Sequence, residues 1–219
     1  MPHFPRAVLD VAGGWDAFNV TEDADLGVRL ARLGYRVAML DSATHEEAPV
    51  GFSQWLGQRT RWMKGWMQTY GVHTREPGRL AAELGLPAAT GFHLYMGALI
   101  LSALVHPLVY VLAIAQWMGG PGIDAASPER PFGHALWVFA LVNLGFGYLT
   151  AIGLGALAAR RRGYPFWRHA ILMPLYWLGI SFATYRALLE LRRAPFWWQK
   201  TAHGLSRVCD AARAGVRAE

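Results

Sequence analysis

Two long stretches without any charged side chain constrain this chain more than any other feature. The first lies between Glu83 and Asp124, and the second runs from Pro131 to Ala159. A helix needs about 20 apolar residues to cross a bilayer, and both stretches are longer than that. We therefore expect a membrane region at residues 86–190, with spans at about 93–118 and 134–158.

The low charge of the whole chain supports this interpretation. Charged residues make up 16% of the 219 residues, whereas ordinary soluble domains contain about a quarter. A hydrophobic fraction of 53% excludes disorder. The single cysteine, Cys209, excludes an intramolecular disulfide and a multi-cysteine zinc site. Buried helices of a large soluble protein are the alternative, although a short chain has little else with which to bury two such spans.

A third apolar segment, at residues 169–188, is harder to place because basic residues flank it on both sides. Arg160–Arg162 and Arg168 precede it, while Arg192 and Arg193 follow it. Since basic residues favour the cytoplasmic side, a full crossing would leave one of these flanks outside. A re-entrant or interfacial element avoids that problem, and a span remains the alternative. The remaining residues, 191–219, form a basic and aromatic tail on the cytoplasmic side.

The charges of the loops orient the two spans. The loop from Gly119 to Gly133 holds one arginine and two acids, whereas the next loop holds four arginines. The first loop is therefore predicted outside and the second inside, which makes residues 1–85 cytoplasmic. Met1–Ala12 lacks the basic start and apolar run of a signal peptide. The arginines flank apolar stretches and do not form one basic face, so we expect a lipid bilayer as partner and no nucleic acid.

Acidic residues crowd the start of a predicted helix within residues 1–85. Thr21-Glu22-Asp23 comes first, and the leucines that follow lie on one helix face: Leu26, Leu30 and Leu33. Tyr35–Leu40 is predicted to be a short strand. Acids at a helix start commonly do no more than complement the helix dipole. The functional alternative is a carboxylate at the edge of a sheet, kept ionised and ready to accept a proton from a hydroxyl.

A second group of side chains lies on the next predicted helix. Gln58, Arg61 and Trp62 share one stripe of this helix, and Gly65 leaves room beside them. An indole offers a flat face for a sugar ring, and a guanidinium pairs well with a phosphate or a carboxylate. An amphipathic helix at the membrane surface would also carry Trp and Arg at headgroup level. Both interpretations can hold together.

The order of these motifs resembles the processive family 2 glycosyltransferases, which include cellulose synthase and hyaluronan synthase. Thr21-Glu22-Asp23 matches the T-E-D motif, Gln58–Trp62 matches Q-(Q/R)-x-R-W, and membrane helices follow. Gly13–Trp15 is similar to the acceptor-side loop, and Pro195–Gly204 to a tail common in bacterial members. The ordered set is far more specific than any one tripeptide. The resemblance implies an α/β fragment of a nucleotide-sugar glycosyltransferase domain, followed by α-helical transmembrane segments.

The resemblance also implies the chemistry. Such enzymes are multi-pass proteins of the bacterial inner membrane that transfer a hexose from a nucleotide sugar, here expected to be a UDP-sugar, to a growing polysaccharide with inversion. Asp23 matches the general base, and Glu22 would shape its site. The positions matched to donor and acceptor binding are Thr21, Gln58, Arg59, Arg61, Trp62, Gly14 and Trp15.

The chain departs from the family pattern on the donor side. Family members carry a D-x-D motif that binds Mg²⁺ or Mn²⁺ ahead of the T-E-D motif, and no such motif precedes Thr21 here. Asp23-Ala24-Asp25 has the D-x-D form but lies inside the acidic motif, so we assign it no metal. His45, with Glu46 and Glu47, lacks the spacing of a closed metal site. We therefore expect the C-terminal half of a synthase, which needs a missing N-terminal half or subunit and catalyses little alone.

Two further functions remain as alternatives to a catalytic part. The first is a non-catalytic membrane module that docks onto a separate donor-binding subunit. The second is a piece of a transporter or channel. Ion pathways use ionisable groups within the membrane, and the predicted spans contain no Asp, Glu, Lys or Arg, which makes the second alternative the weaker one.

Overall fold

The computed structural model describes residues 3–38, 48–118, 131–161, 170 and 172–197, and in these ranges the regular structure is helical. The elements, in chain order, are α1 (Arg6–Val11), α2 (Glu22–Arg32), α3 (Phe52–His73), α4 (Pro77–Leu84), α5 (Leu86–Phe92), a π-helical turn (His93–Gly97), α6 (Ala98–Trp117), α7 (Pro131–Arg161) and α8 (Met173–Arg193). The chain divides into two compact units. Unit 1 comprises Met1–Ser102 and Phe182–Glu219, and unit 2 comprises Ala103–Ser181.

The expected α/β fragment is wrong for the part of the chain that the structure describes. Tyr35–Ala38, the described part of the predicted strand, has no strand structure, and residues 39 and 40 lie outside the described ranges. An extended segment becomes a strand only when a neighbour accepts and donates its backbone hydrogen bonds. The described ranges contain no such neighbour for this segment.

The predicted helix after the acidic motif is confirmed as α2, and its apolar face forms a small core. Leu26 and Leu30 are buried against Ala12, and side chains of α1 and the residues before it pack on them. The turn between α1 and the acidic motif contains Gly13 and Gly14, whose φ angles are +78° and +73°. Residues with a Cβ rarely adopt this left-handed conformation, so the turn depends on glycine.

The buried face of α3 contains few aromatic side chains. Phe52, at the start of the helix, is 68% exposed. The buried residues are instead mostly small or polar: Leu56, Gly57, Thr60, Met63, Lys64, Gly65, Thr69 and His73. α3 is therefore held in unit 1 by close backbone approach and hydrogen bonds as well as by apolar burial.

Asp25 connects α2 to α3 through a buried polar network. Its side chain is 4% exposed; Oδ2 accepts a hydrogen bond from Arg29 Nε at 2.7 Å, and Oδ1 lies 3.0 Å from His73 Nε2. Arg32 Nη1 lies 2.9 Å from His73 Nδ1. Because arginine can only donate, Nδ1 accepts and the Nε2–H of His73 donates to Asp25. Both oxygens of this carboxylate are thus engaged by protein groups.

The network extends to the turn before the acidic motif and to α4. Arg29 donates from Nη1 to the carbonyl of Ala12 at 2.5 Å and from Nη2 to the carbonyl of Gly14 at 2.8 Å. Arg32 Nε donates to Glu83 of α4 at 2.5 Å. Burial raises the pKa of Asp25, but the hydrogen bonds from His73 and Arg29 outweigh that effect and hold this pKa below its usual value.

Within the described ranges, two helices are long and apolar enough to cross a membrane. They cover Leu86–Ala115 and Trp137–Arg160, and only 6% and 0% of their most apolar windows are buried inside the protein. In the first, Pro107 lies within α6. α8 carries four charged residues: Arg186, Glu190, Arg192 and Arg193. The re-entrant or spanning course of the segment at residues 169–188 stays a prediction.

In unit 2, polar side chains of α6 and α7 meet. The hydroxyl groups of Tyr110 and Tyr148 are hydrogen-bonded to each other, and the Tyr148 hydroxyl lies 3.0 Å from His106 Nε2. His106 and Tyr110 are four residues apart, so both lie on the same face of α6. These contacts join the two helices within the unit.

Asp25→Asn should destabilise unit 1 by about 1–3 kcal/mol at pH 7, because it leaves a buried donor without its charged acceptor. The folded pKa of Asp25 lies below its unfolded value of about 3.9. The stabilisation by the native carboxylate is therefore complete above about pH 5 and is lost as the pH falls through the folded pKa. Denaturant unfolding at a series of pH values should show the gap between wild type and variant closing towards pH 3.

Asp10→Asn is the matched control, since the side chain of Asp10 is 72% exposed and its Oδ2 lies as far as 4.0 Å from Arg6 Nε. It should unfold like the wild type at every pH. A gap between wild type and Asp25→Asn that is independent of pH would contradict the prediction.

Candidate functional site

The loop that precedes the acidic motif is fastened along α3. Asn19 Nδ2 donates to Thr69 Oγ1 at 2.8 Å, and the backbone N–H of Val20 donates to Gln68 Oε1 at 3.3 Å. Asn19 Oδ1 also accepts from the backbone N–H of Thr21 at 2.9 Å. The loop from Phe18 to Thr21 therefore takes its position from α3.

The contacts continue over the two preceding turns of α3. The guanidinium of Arg61 donates from Nη1 to the carbonyl of Val20 at 3.2 Å. Thr21 packs against Gly65 so closely that a Cβ on this glycine would lie 2.6 Å from Thr21 Cγ2. The space that the sequence leaves beside Gly65 is thus filled by the acidic motif itself.

Glu22 and Asp23 begin α2, directly beyond this contact. Asp23 is exposed, and its Oδ1 accepts from the backbone N–H of Ala24 at 2.8 Å, while Glu22 is half-buried. Burial lowers the pKa of the Arg61 guanidinium, and the negative charges of Glu22 and Asp23 partly offset this effect. The two carboxylates and the guanidinium, about forty residues apart in sequence, therefore form one electrostatic group.

The neighbouring motif residues on α3 contact one another. The guanidinium carbon of Arg59 lies 4.2 Å from the centroid of the Trp62 ring and 5.9 Å from that of Trp55. Such a stack restrains the indole of Trp62. Arg59 therefore supports Trp62 and is not among the residues that line the cavity described next.

A cavity of about 1000 Å³ in unit 1 contains the acidic motif and part of the α3 motif. Charged groups and aromatic rings share its wall, a combination that suits a polar ligand with flat apolar faces. The lining residues are Trp15, Thr21, Glu22, Asp23, Ala24, Gly27, Val28, Ala31, Arg61, Trp62, Trp66, Leu84, Ala88, Gly91, Phe92, Tyr95 and Met96.

The π-helical turn supplies two residues of the cavity wall, Tyr95 and Met96. Tyr70 of α3 supports the turn: its ring stacks on Phe92 at 5.6 Å, and its hydroxyl lies 3.0 Å from His93 Nδ1. π-helical turns within α-helices are frequent at functional sites. This turn contributes to the cavity wall without a break in the helix.

The cavity brings together most of the site residues that the sequence predicts: Trp15, Thr21, Glu22, Asp23, Arg61 and Trp62. Gln58 is half-buried and does not line it. Gly14 does not line it either, and its carbonyl holds Arg29. Residues 45–47 and the tail after Trp197 lie outside the described ranges.

Several lining residues have no motif of their own. Trp66 follows Trp62 by four residues, so the helical period alone places both indoles on one face. Phe92 and Tyr95 come from another helix, and no local pattern connects them with Asp23. Only the packing of α3 against α5 and the π-helical turn brings them into the cavity.

Comparison with known proteins gives one family. The family model described as glycosyl transferase family group 2 matches residues 3–150. The chain is 38% identical over 61 residues to a probable glycosyltransferase, YdaM, of Bacillus subtilis (strain 168), which covers 27% of this chain and 14% of that protein. It is 29% identical over 150 residues to the cellulose synthase catalytic subunit (UDP-forming) of Komagataeibacter sucrofermentans, covering 65% of this chain and 19% of that protein.

The matched part thus spans less than a fifth of the length of either relative. No solved structure matches this chain significantly.

Gly65→Ala should destabilise unit 1 by about 1–3 kcal/mol, because the new methyl group overlaps the side chain of Thr21. Gly71→Ala is the matched control on the same helix, since a Cβ there would meet nothing within 4 Å. That variant should be neutral or more stable by up to about 1 kcal/mol, as alanine favours helices over glycine. Thermal unfolding in detergent, followed by tryptophan fluorescence, compares the two, and equal midpoints would refute the close packing at Gly65.

Proposed function

The chain belongs to glycosyl transferase family group 2, and on that basis we propose that it supplies the catalytic base and the acceptor side of a glycosyltransferase. The donor is a nucleotide sugar, a UDP-sugar in our proposal, and the acceptor is a growing polysaccharide. One observation carries the proposal: Asp23, Arg61 and Trp62 line the same cavity.

Asp23 is the best base among the acids of this motif. It is exposed and lines the cavity, and its Oδ1 accepts a hydrogen bond from the backbone N–H of Ala24 at the start of α2. Asp25 is buried and engaged by Arg29 and His73. Glu22 is half-buried and lies beside Arg61 in charge interaction, so it orients the guanidinium rather than taking the proton.

The proposed reaction is an in-line displacement at the anomeric carbon. Asp23 accepts the proton of an acceptor hydroxyl, and that oxygen forms the new glycosidic bond as the bond to the diphosphate breaks. Inversion follows because attack and departure occur on opposite faces. The positive charge of Arg61 suits the departing diphosphate, whose negative charge grows as it leaves. Trp62 and Trp66 offer flat faces for the sugar rings, as does Tyr95.

The residues described here do not fit the Mg²⁺ or Mn²⁺ that the family implies. The D-x-D-like sequence Asp23-Ala24-Asp25 cannot act as a chelate, because hydrogen bonds from Arg29 and His73 occupy both oxygens of Asp25. Among the described residues, no group of three or more His, Cys, Asp or Glu is placed to hold a metal.

We place the protein in the bacterial inner membrane as a multi-pass protein with unit 1 at the cytoplasmic side. The two long apolar helices, with almost no burial inside the protein, support this location. Wall residues Ala88, Gly91 and Phe92 belong to the first of these helices. The acceptor site would accordingly lie close to the membrane surface.

Asp23→Asn in the complete membrane protein tests the proposal. Transfer from a panel of UDP-hexoses, measured as labelled polymer and released UDP, should fall about 10²- to 10⁴-fold, the usual contribution of a general base. Binding of UDP should change little, because the charge of Arg61 is retained.

Asp10→Asn, which removes an exposed acid outside the cavity, should transfer sugar at the wild-type rate. Full activity of Asp23→Asn would reject Asp23 as the base. A complete protein that is inactive alone, but active with a co-purified donor-binding subunit and insensitive to Asp23→Asn, would identify a docking module instead.

A further inference from the structure

Lys64 of α3 has a charged side chain, yet the residue is only 1% exposed. It does not line the cavity. Its Nζ donates to Glu190 Oε2 at 3.3 Å, to the carbonyl of Ala194 at 3.4 Å and to the carbonyl of Trp197 at 2.5 Å. An ammonium group has three N–H donors, so these acceptors use all of them. A lysine in this position is therefore fully hydrogen-bonded rather than stranded.

The acceptors of Lys64 lie in the last turn of α8 and in the segment that follows it. The last carbonyls of a helix lack partners within the helix and form the negative end of its dipole. A buried ammonium group at this place satisfies carbonyls beyond the helix end. Glu190 is held in turn by Arg186 Nε at 3.0 Å. Lys64 consequently fixes the segment Ala194–Trp197 to α3.

Gln68, one turn further along α3, connects that segment with the acidic loop. Its Nε2 donates to the carbonyls of Pro195 at 3.1 Å and Phe18 at 3.4 Å, and its Oε1 accepts from the N–H of Val20 at 3.3 Å. Phe18 and Phe196 also meet edge to face at 5.3 Å. The segment after α8 and the loop before Asp23 are thus held by the same turns of α3.

Desolvation makes a buried charge costly, and an apolar side chain of similar size would fill this space at lower cost. A purely stabilising role therefore explains Lys64 poorly. Its contacts do explain one property: they define where the segment after α8 lies relative to Gln68. If this segment moves away, Gln68 loses its partner at Pro195, and its hold on Val20 weakens.

We propose that Lys64 is a positioning residue for glycosyl transfer. It clamps Ala194–Trp197 to α3 and, through Gln68, keeps the Phe18–Thr21 loop in the place where Asp23 faces Arg61. The kinetic part of this inference rests on the proposed function, whereas the structural coupling between the two segments can be measured without any activity.

Hydrogen exchange of the complete protein in detergent tests the coupling. Lys64→Met, which keeps the length of the side chain and removes the ammonium group, should speed amide exchange at least tenfold both at residues 190–197 and at residues 18–21. Arg75→Met is the matched control, because it removes one exposed positive charge just beyond α3. It should change exchange in neither segment, and faster exchange of Lys64→Met at residues 190–197 alone would overturn the proposal.

Gln68→Met keeps the test decisive if Lys64→Met does not fold. It retains the buried ion pair but cuts the link to Val20, so exchange should rise at residues 18–21 while the end of α8 stays protected. If both single variants fold, the double variant should add nothing further at residues 18–21, since both act along one path. Unchanged exchange at residues 18–21 in Gln68→Met would also overturn the coupling.

Kinetics then separate this proposal from the proposed function. Lys64→Met should lower kcat for transfer about 10- to 100-fold, because small displacements of a reacting group are costly, and should change the KM for the nucleotide sugar less than twofold. Unchanged kcat in an enzyme that Asp23→Asn inactivates would refute Lys64 as a positioning residue. If the variants show the exchange coupling but the wild-type protein transfers no sugar, the proposed function is refuted instead.

Discussion

The packing of the Phe18–Thr21 loop along α3 is the interaction on which the rest of the site depends. Hydrogen bonds at Asn19 and Val20 fix the loop laterally, and the bare backbone at Gly65 lets it approach closely. Because this loop leads directly into α2, its position determines where Asp23 lies. A carboxylate and a guanidinium that are distant in sequence thereby line one cavity, although they belong to different helices.

Buried polar contacts join the helices of unit 1, a role that an apolar core has in other small folds. Asp25, Lys64 and His73 are buried between helices, and the described contacts satisfy the functional group of each. Directional contacts of this kind weaken when their partners are displaced or misaligned. Unit 1 is therefore suited to hold side chains in a defined geometry, which the proposed base and cation would require.

The parts of the molecule that depend on local pattern could be predicted from sequence. The helix after the acidic motif, the long helix that carries Arg61 and the apolar helices follow from period and length, and the ordered motifs correctly indicated the family. The strand at Tyr35 was wrong, because strands depend on partners elsewhere in the chain. Lys64 gave no signal either, since its acceptors lie more than 120 residues away. The membrane location and the roles of the site residues stay predictions.

The contact of His106 and Tyr110 with Tyr148 has a consequence for motion within unit 2. A slip of one residue along a helix displaces its side chains by about 1.5 Å and rotates them by about 100°. Such a slip of α6 against α7 would separate both side chains of α6 from the Tyr148 hydroxyl at once. In the membrane location proposed above, no water would replace the lost partners. The two helices therefore have one favoured register, and any movement within unit 2 would carry them as a pair.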